Sequence, residues 1–101
     1  MLRPQPVEIN VTKKDIDQGV CKDAEMCAIA LALEREYKSH INYVQVEHYD
    51  HIEMSNDNED LWYRVHICPD DDVKVHEFMK NFDDGKKVKP FSFNINEIEE
   101  F

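Results

Sequence analysis

The first residues that could carry out chemistry are two cysteines at the start of a helical segment. Cys21 and Cys27 are separated by five residues, and a helix N-terminus can lower the pKa of a thiol beside it. The spacing is not C-x-x-C, however, and Cys27 lies within an apolar stripe, where a free cysteine usually packs rather than reacts. Cys21 is therefore the more exposed candidate for thiol chemistry.

Histidines and carboxylates form a second group, near the end of one strand-like run and in the next run. They are His48, Asp50, His51, Glu53 and His66. Such side chains bind divalent ions. Alternation sends His48 and His51 to opposite faces of a strand, and the run matches no established ligand spacing. We therefore expect a solvated strand end without metal, in which His48, His51 and His66 are weak candidate ligands.

An aromatic and cationic set falls on one face of the predicted strands. Its members are Tyr43, Tyr49, Trp62, Arg64 and His66. Aromatic and arginine side chains stack bases in RNA-recognition domains, but the motifs of those domains are missing, and Glu8 and Glu47 share the face. Trp, Tyr and Arg are typical of protein interfaces. The set predicts a protein-binding face or a homodimer interface, while a face partly covered by the chain termini stays an open alternative.

Acidic residues concentrate in predicted turns and at helix ends. The candidates for an acidic partner-binding surface are Asp57, Glu59, Asp60, Asp70 and Asp71. Most such residues cap helices or lie in solvated loops. Arrayed on one surface, they could instead imitate DNA phosphates and occupy a basic groove of a nucleic-acid-binding protein.

Motifs of the common catalytic sites are missing from the sequence. The chain contains no G-x-S-x-G or H-E-x-x-H, and its two glycines are too few for a phosphate-binding glycine loop. We expect no catalytic residue and no cofactor. A small metal-dependent or thiol-dependent enzyme is the alternative from a different functional class.

The composition indicates one acidic domain. The 101 residues include 22 acidic and 12 basic ones, for a net charge of −10, which argues against a general nucleic-acid-binding surface. Three cysteines without a secretory leader favour a reducing cytoplasm over a disulfide scaffold. No apolar run reaches the length of a membrane span.

A helix over Asp23–Lys38, with Asp23 as N-cap, is the strongest secondary-structure prediction. Its apolar stripe contains Met26, Ala30, Leu33 and Tyr37. A strand is expected at residues 7–12 after an extended arm at 1–6. Residues 12–19 read as one capped helical turn that ends at Gly19.

The second half alternates strand and helix patterns. A long strand is expected at 41–54, with a bulge near Asp50, and it forms a hairpin with a strand at 61–68. A helix follows after Pro69 and ends at Gly85, and the last strand covers 91–96 before a frayed tail at 97–101. This β-α-β-β-α-β order predicts an α+β, ferredoxin-like split βαβ fold: a four-stranded antiparallel sheet, order 4-1-3-2, with both helices on one face. The alternative is a less regular α+β sheet in which the last strand pairs elsewhere.

Three segments resemble a family of small proteins encoded mainly by bacteriophages. They are V-T-K-K-D-I-D-Q-G at 11–19, C-A-I-A-L-A-L at 27–33 and F-D-D-G-K-K-V-K-P-F-S-F at 82–93, and the resemblance spans about residues 7–95. The family's helix start looks like C-x-x-C-P-I-A-L-A, but this chain has Ala24 for the first cysteine and Ala28 for the proline. The pair on which a metal or redox role would depend is therefore incomplete. The resemblance implies a phage or prophage origin and a host-cytoplasm setting.

Together these observations predict a non-enzymatic, phage-type accessory protein that binds a host or phage protein. Either the aromatic sheet face or the acidic second half would provide the contact surface. An acidic DNA mimic that inhibits a host nuclease or defence complex is the alternative.

Overall fold

Five strands and three helices make up the part of the chain that the computed structural model describes, residues 7–38, 41, 43–48, 51–56 and 61–100. In chain order they are β1 (Val7–Val11), α1 (Lys13–Gln18), α2 (Ala28–Tyr37), β2 (Tyr43–His48), β3 (His51–Ser55), β4 (Trp62–Ile67), α3 (Asp72–Asp83) and β5 (Phe91–Glu100), with a 3₁₀ turn at Pro69–Asp71 before α3. The strands form one antiparallel sheet of order β1-β5-β4-β3-β2. The predicted extended arm at 1–6 lies outside the described residues.

The α+β class is confirmed, but the four-stranded ferredoxin-like sheet of order 4-1-3-2 is wrong. The predicted long strand at 41–54 is a hairpin, in which β2 and β3 pair antiparallel with Val44 opposite Met54 and Val46 opposite Ile52. An antiparallel hairpin returns these side chains to the same face, so its apolar alternation is the same as that of a single strand. The sequence pattern therefore does not distinguish the two.

Strand β5 pairs with different neighbours along its two halves. Phe91 to Ile95 pair with β1 on one side, and Ile95 to Glu100 pair with β4 on the other. The last strand thus pairs with β1, as in the split βαβ order, but it also pairs with β4 and lies between the two, where that order places β1 directly beside the third strand. Glu97 to Glu100 belong to the sheet and are not the frayed tail that we expected.

Helices α2 and α3 cover one face of the sheet. Leu33 of α2 and Phe78 of α3 join a single buried cluster with Ile9, Ile52 and Phe93 from the strands. This burial supplies the main free energy of folding. None of the described helices lies on the other face of the sheet, and the polar residues of the strands point to it; we call it the helix-free face.

Helix α2 begins later than predicted. Asp23 Oδ1 accepts hydrogen bonds from the backbone N–H groups of Glu25 and Met26, so it closes a separate turn and Cys27 becomes the N-cap of α2. Met26 consequently lies outside the apolar stripe and is 45% exposed. Aspartate side chains favour such local turns as readily as helix caps.

Helix α1 is fixed by its cap and by close packing against α2. Thr12 and Asp15 form a reciprocal capping box, and Arg35 Nη1 donates to Asp15 Oδ1 over 2.6 Å. Burial acts to raise the pKa of Asp15, but the hydrogen bonds of Arg35 and Thr12 outweigh it and the pKa is lowered. A Cβ on Gly19 would lie 2.8 Å from the backbone nitrogen of Ala28, so the close approach of the two helices requires glycine.

Candidate functional site

Two aromatic rings stand at one end of the helix-free face. Tyr43, Ser55 and Trp62 are in register on three adjacent strands, β2, β3 and β4. The rings of Tyr43 and Trp62 meet edge to face, with centroids 5.7 Å apart, and Ser55 between them is fully buried. The partly exposed Trp62 is therefore held in a fixed orientation on the face.

Charged side chains form the next row across the same face. Glu53, Arg64 and Glu99 are in register on β3, β4 and β5. Arg64 Nη2 donates to Glu53 Oε2 at 3.5 Å. In this row Arg64 lies between two carboxylates, and it follows Trp62 on the same side of β4.

Each described histidine ring on the face lies next to a glutamate. His66 Nε2 is 3.0 Å from Glu99 Oε1, and His51 Nε2 is 3.2 Å from Glu53 Oε2 and 3.8 Å from Glu47 Oε2. No group of three or more metal-binding side chains forms within the described part of the chain. The side chain of His48 is not among the described ones, and the weak metal assignment of His48, His51 and His66 stays a prediction.

The helix-free face has a negative balance of charge. Five glutamates lie on it or at its margin: Glu8, Glu47, Glu53, Glu97 and Glu99. Against them stand Arg64 and the two histidines. Of the residues predicted for this face, Tyr43, Trp62, Arg64 and His66 lie together on it, and Tyr49 is outside the described residues.

Of the predicted acidic surface, the structure describes two residues, Asp70 and Asp71. Asp70 is exposed, but Asp71 is only 8% exposed, and its carboxylate contacts β5 and α3. Its Oδ2 accepts from the backbone N–H of Asn94 over 2.7 Å, at the part of β5 that lies beyond the end of β4, and Lys74 Nζ is 3.3 Å from its Oδ1. Asp57, Glu59 and Asp60 lie outside the described residues, so the acidic surface stays a prediction for these three.

Replacing Asp71 with alanine should lower the free energy of unfolding by about 2 kcal/mol at neutral pH, because the N–H of Asn94 loses a charged acceptor. That hydrogen bond is the main cause of the lowered pKa of Asp71, whose ordinary value is 3.8. A lowered folded-state pKa means that the stabilisation is complete above the ordinary value and is lost as the pH falls below it. Urea denaturation at neutral and acidic pH measures the difference, which should shrink in acid.

Asp70→Ala is the matched control, since its exposed carboxylate should contribute little to stability. Equal destabilisation by the two replacements, or a difference that grows in acid, would contradict this role of Asp71.

Two of the three cysteines have a raised pKa, which disfavours the thiolate. Cys27 is buried, and burial raises its pKa against the opposing effect of the backbone N–H groups of Ala30 and Ile29. The pKa of Cys68 is also raised, by burial and by the neighbouring aspartates. Cys21 is exposed, as expected, and its Sγ donates to the carbonyl oxygen of Phe82 at 2.8 Å.

A cavity of about 310 Å³ opens between the start of α2 and α3. Cys27, Ile29, Phe78 and Phe82 contribute to its apolar wall, and its rim bears Lys22 and three acidic residues. It could accommodate a small apolar group, but the raised pKa of Cys27 argues against a nucleophile there. Sequence reasoning missed it because the two helices that form it are far apart in the chain.

No family model, curated protein or solved structure matches this chain significantly. None of the described helices is long and apolar enough to cross a membrane.

Proposed function

We propose that the protein is a small, non-enzymatic accessory protein of bacteriophage type that binds a basic segment of a host or phage protein on its helix-free sheet face. The observation that carries the proposal is the combination, on one open face, of the Tyr43 and Trp62 ring pair with an array of glutamates. A basic segment offers lysine and arginine side chains that both features attract.

The chemistry of the face supports a cationic occupant. A guanidinium or ammonium group over an indole ring gains cation–π attraction, and Trp62 is partly exposed. Glu97 and Glu99, both exposed on β5 next to β4, would pair with further basic groups of the same segment. Aromatic anchors provide most of the affinity of such interfaces, and complementary charges provide orientation and rate of association.

The test is the binding of lysine- and arginine-rich peptides, and of partners captured from a host lysate, at increasing salt. Glu97→Lys combined with Glu99→Lys should weaken binding by roughly tenfold or more, since two attractions become repulsions. Binding of the unmodified protein should weaken as salt rises, because exposed charges are screened over about 8 Å at physiological ionic strength.

Glu25→Lys with Glu77→Lys is the matched control, because both residues are exposed and lie off this face on the helical side of the molecule. An equal loss in the control pair, or binding that is insensitive to salt, would rule out the charged face as the contact surface.

An acidic DNA mimic directed at a host nuclease or defence complex is the second candidate. It is favoured by the same five glutamates on neighbouring strands, which could occupy a groove meant for phosphates. Duplex DNA should then compete with this protein for the captured partner. Capture that DNA leaves unchanged would favour the general basic-segment proposal.

A further inference from the structure

Four lysines line one cleft of this acidic protein. Lys13 of α1 and Lys86, Lys87 and Lys89 of the loop after α3 line a cleft of about 390 Å³; we call it the lysine cleft. These are four of only 12 basic residues in the chain. The net charge of −10 therefore conceals a cationic region.

The cleft is fixed by the way α3 ends. Gly85 has a φ of +75°, its N–H donates to the carbonyl oxygen of Phe82, and the N–H of Lys86 donates to that of Asn81. This is the Schellman arrangement that a left-handed glycine permits. It turns the chain so that the lysine loop lies against α1.

Local charge in the cleft is strongly positive. Asp17 is the one carboxylate among the residues that line it, and its Oδ2 is 3.0 Å from Lys13 Nζ. Three lysines remain without an acidic neighbour on the cleft wall. The glutamates of the sheet face contribute little here, because exposed charges are screened beyond about 8 Å.

The floor of the cleft is apolar. Ile16, Phe82, Val88 and Pro90 line it, so that an anion bound here also meets a surface suited to a ring. A second hollow, of about 400 Å³, shares Lys13 and Pro90 with the cleft. Its polar residues Asn10 and Ser92 belong to the helix-free face, where Ser92 Oγ donates to Glu8 Oε2 at 3.5 Å. The binding surface of the cleft therefore consists of its lysines and its apolar floor.

We propose that the lysine cleft binds a nucleoside polyphosphate. The lysine side chains contact the phosphates as point charges, and the ring and sugar lie on the apolar floor. The volume is in the range of small-molecule sites. This site is separate from the sheet face, so its success or failure is independent of the proposed partner binding.

The experiment titrates ATP into the protein and follows the backbone amide resonances at physiological ionic strength. Shifts should concentrate at residues 13–17 and 85–92, and tripolyphosphate without a nucleoside should bind at least about tenfold more weakly, because it makes no use of the floor. Lys86→Gln with Lys87→Gln should weaken ATP binding by roughly tenfold or more.

Lys38→Gln with Lys80→Gln is the control, since it removes the same charge from exposed lysines that do not line the cleft. It should change ATP affinity less than about twofold. An absence of amide shifts, equal binding of tripolyphosphate and ATP, or equal losses in the two lysine pairs would each overturn the proposal.

Discussion

Replacing Leu33 with aspartate should leave the domain unfolded at room temperature. Leu33 is fully buried on α2, at the centre of the cluster that joins both helices to the sheet. An unpaired carboxylate in such a place costs several kcal/mol, in addition to the loss of the leucine contacts. That total is comparable with the whole stability of a small domain, about 5–15 kcal/mol.

Phe78→Asp on α3 should have the same outcome, because Phe78 is 8% exposed and packs against Phe91, with ring centroids 4.5 Å apart. Val73→Asp is its control on the same helix, as Val73 is 69% exposed and can be replaced at little cost. Thermal denaturation followed by circular dichroism checks all three. Cooperative melting near the wild-type temperature for Leu33→Asp or Phe78→Asp would show that the helices do not pack as described.

Replacing Trp62 and Tyr43 together with alanine should abolish partner capture. Desolvated aromatic anchors typically contribute about 2 kcal/mol or more each to an interface, so that the pair would weaken binding by roughly three orders of magnitude. The rings contact one another, so the two single replacements should not be additive.

Trp62→Phe is the conservative comparison, since it keeps an aromatic surface on β4 and should retain part of the binding. Indole fluorescence of the free protein is a first measurement: a partly exposed Trp62 should emit between the buried and solvated limits and shift when a partner binds. Full capture by the double variant, or emission typical of a fully buried indole, would move the proposed contact surface away from the aromatic pair.

Local signals predicted the elements that depend on neighbouring residues. The capping box of Thr12 and Asp15, the strand Trp62–Ile67 and the end of α3 at Gly85 all follow from residues within a few positions of each other. The position of β5 between β1 and β4 does not, because neither partner is adjacent to β5 in the chain. Alternation specifies which face of a strand is buried but not which strand lies beside it.

The candidate site shows the same division. Placing Trp62, Arg64 and His66 on one face required only the alternation of β4. Glu97 and Glu99 were missed, because the acidic end of the chain was expected to fray and instead pairs with β4. Asp71 was assigned to a surface. Its carboxylate instead accepts the hydrogen bond of the Asn94 N–H at a point where β4 has ended, and no sequence pattern predicts such a contact.

The divided pairing of β5 also sets the order of events during protein synthesis. Strand β1 leaves the ribosome before the other described strands, yet its only hydrogen-bonded strand neighbour among the described residues is β5, the last of them. Contacts between such distant segments form slowly, since a long loop must close first. Strand β1 therefore stays unpaired until β5 has emerged. During that interval its apolar side is exposed, as in the partly folded chains that chaperones bind.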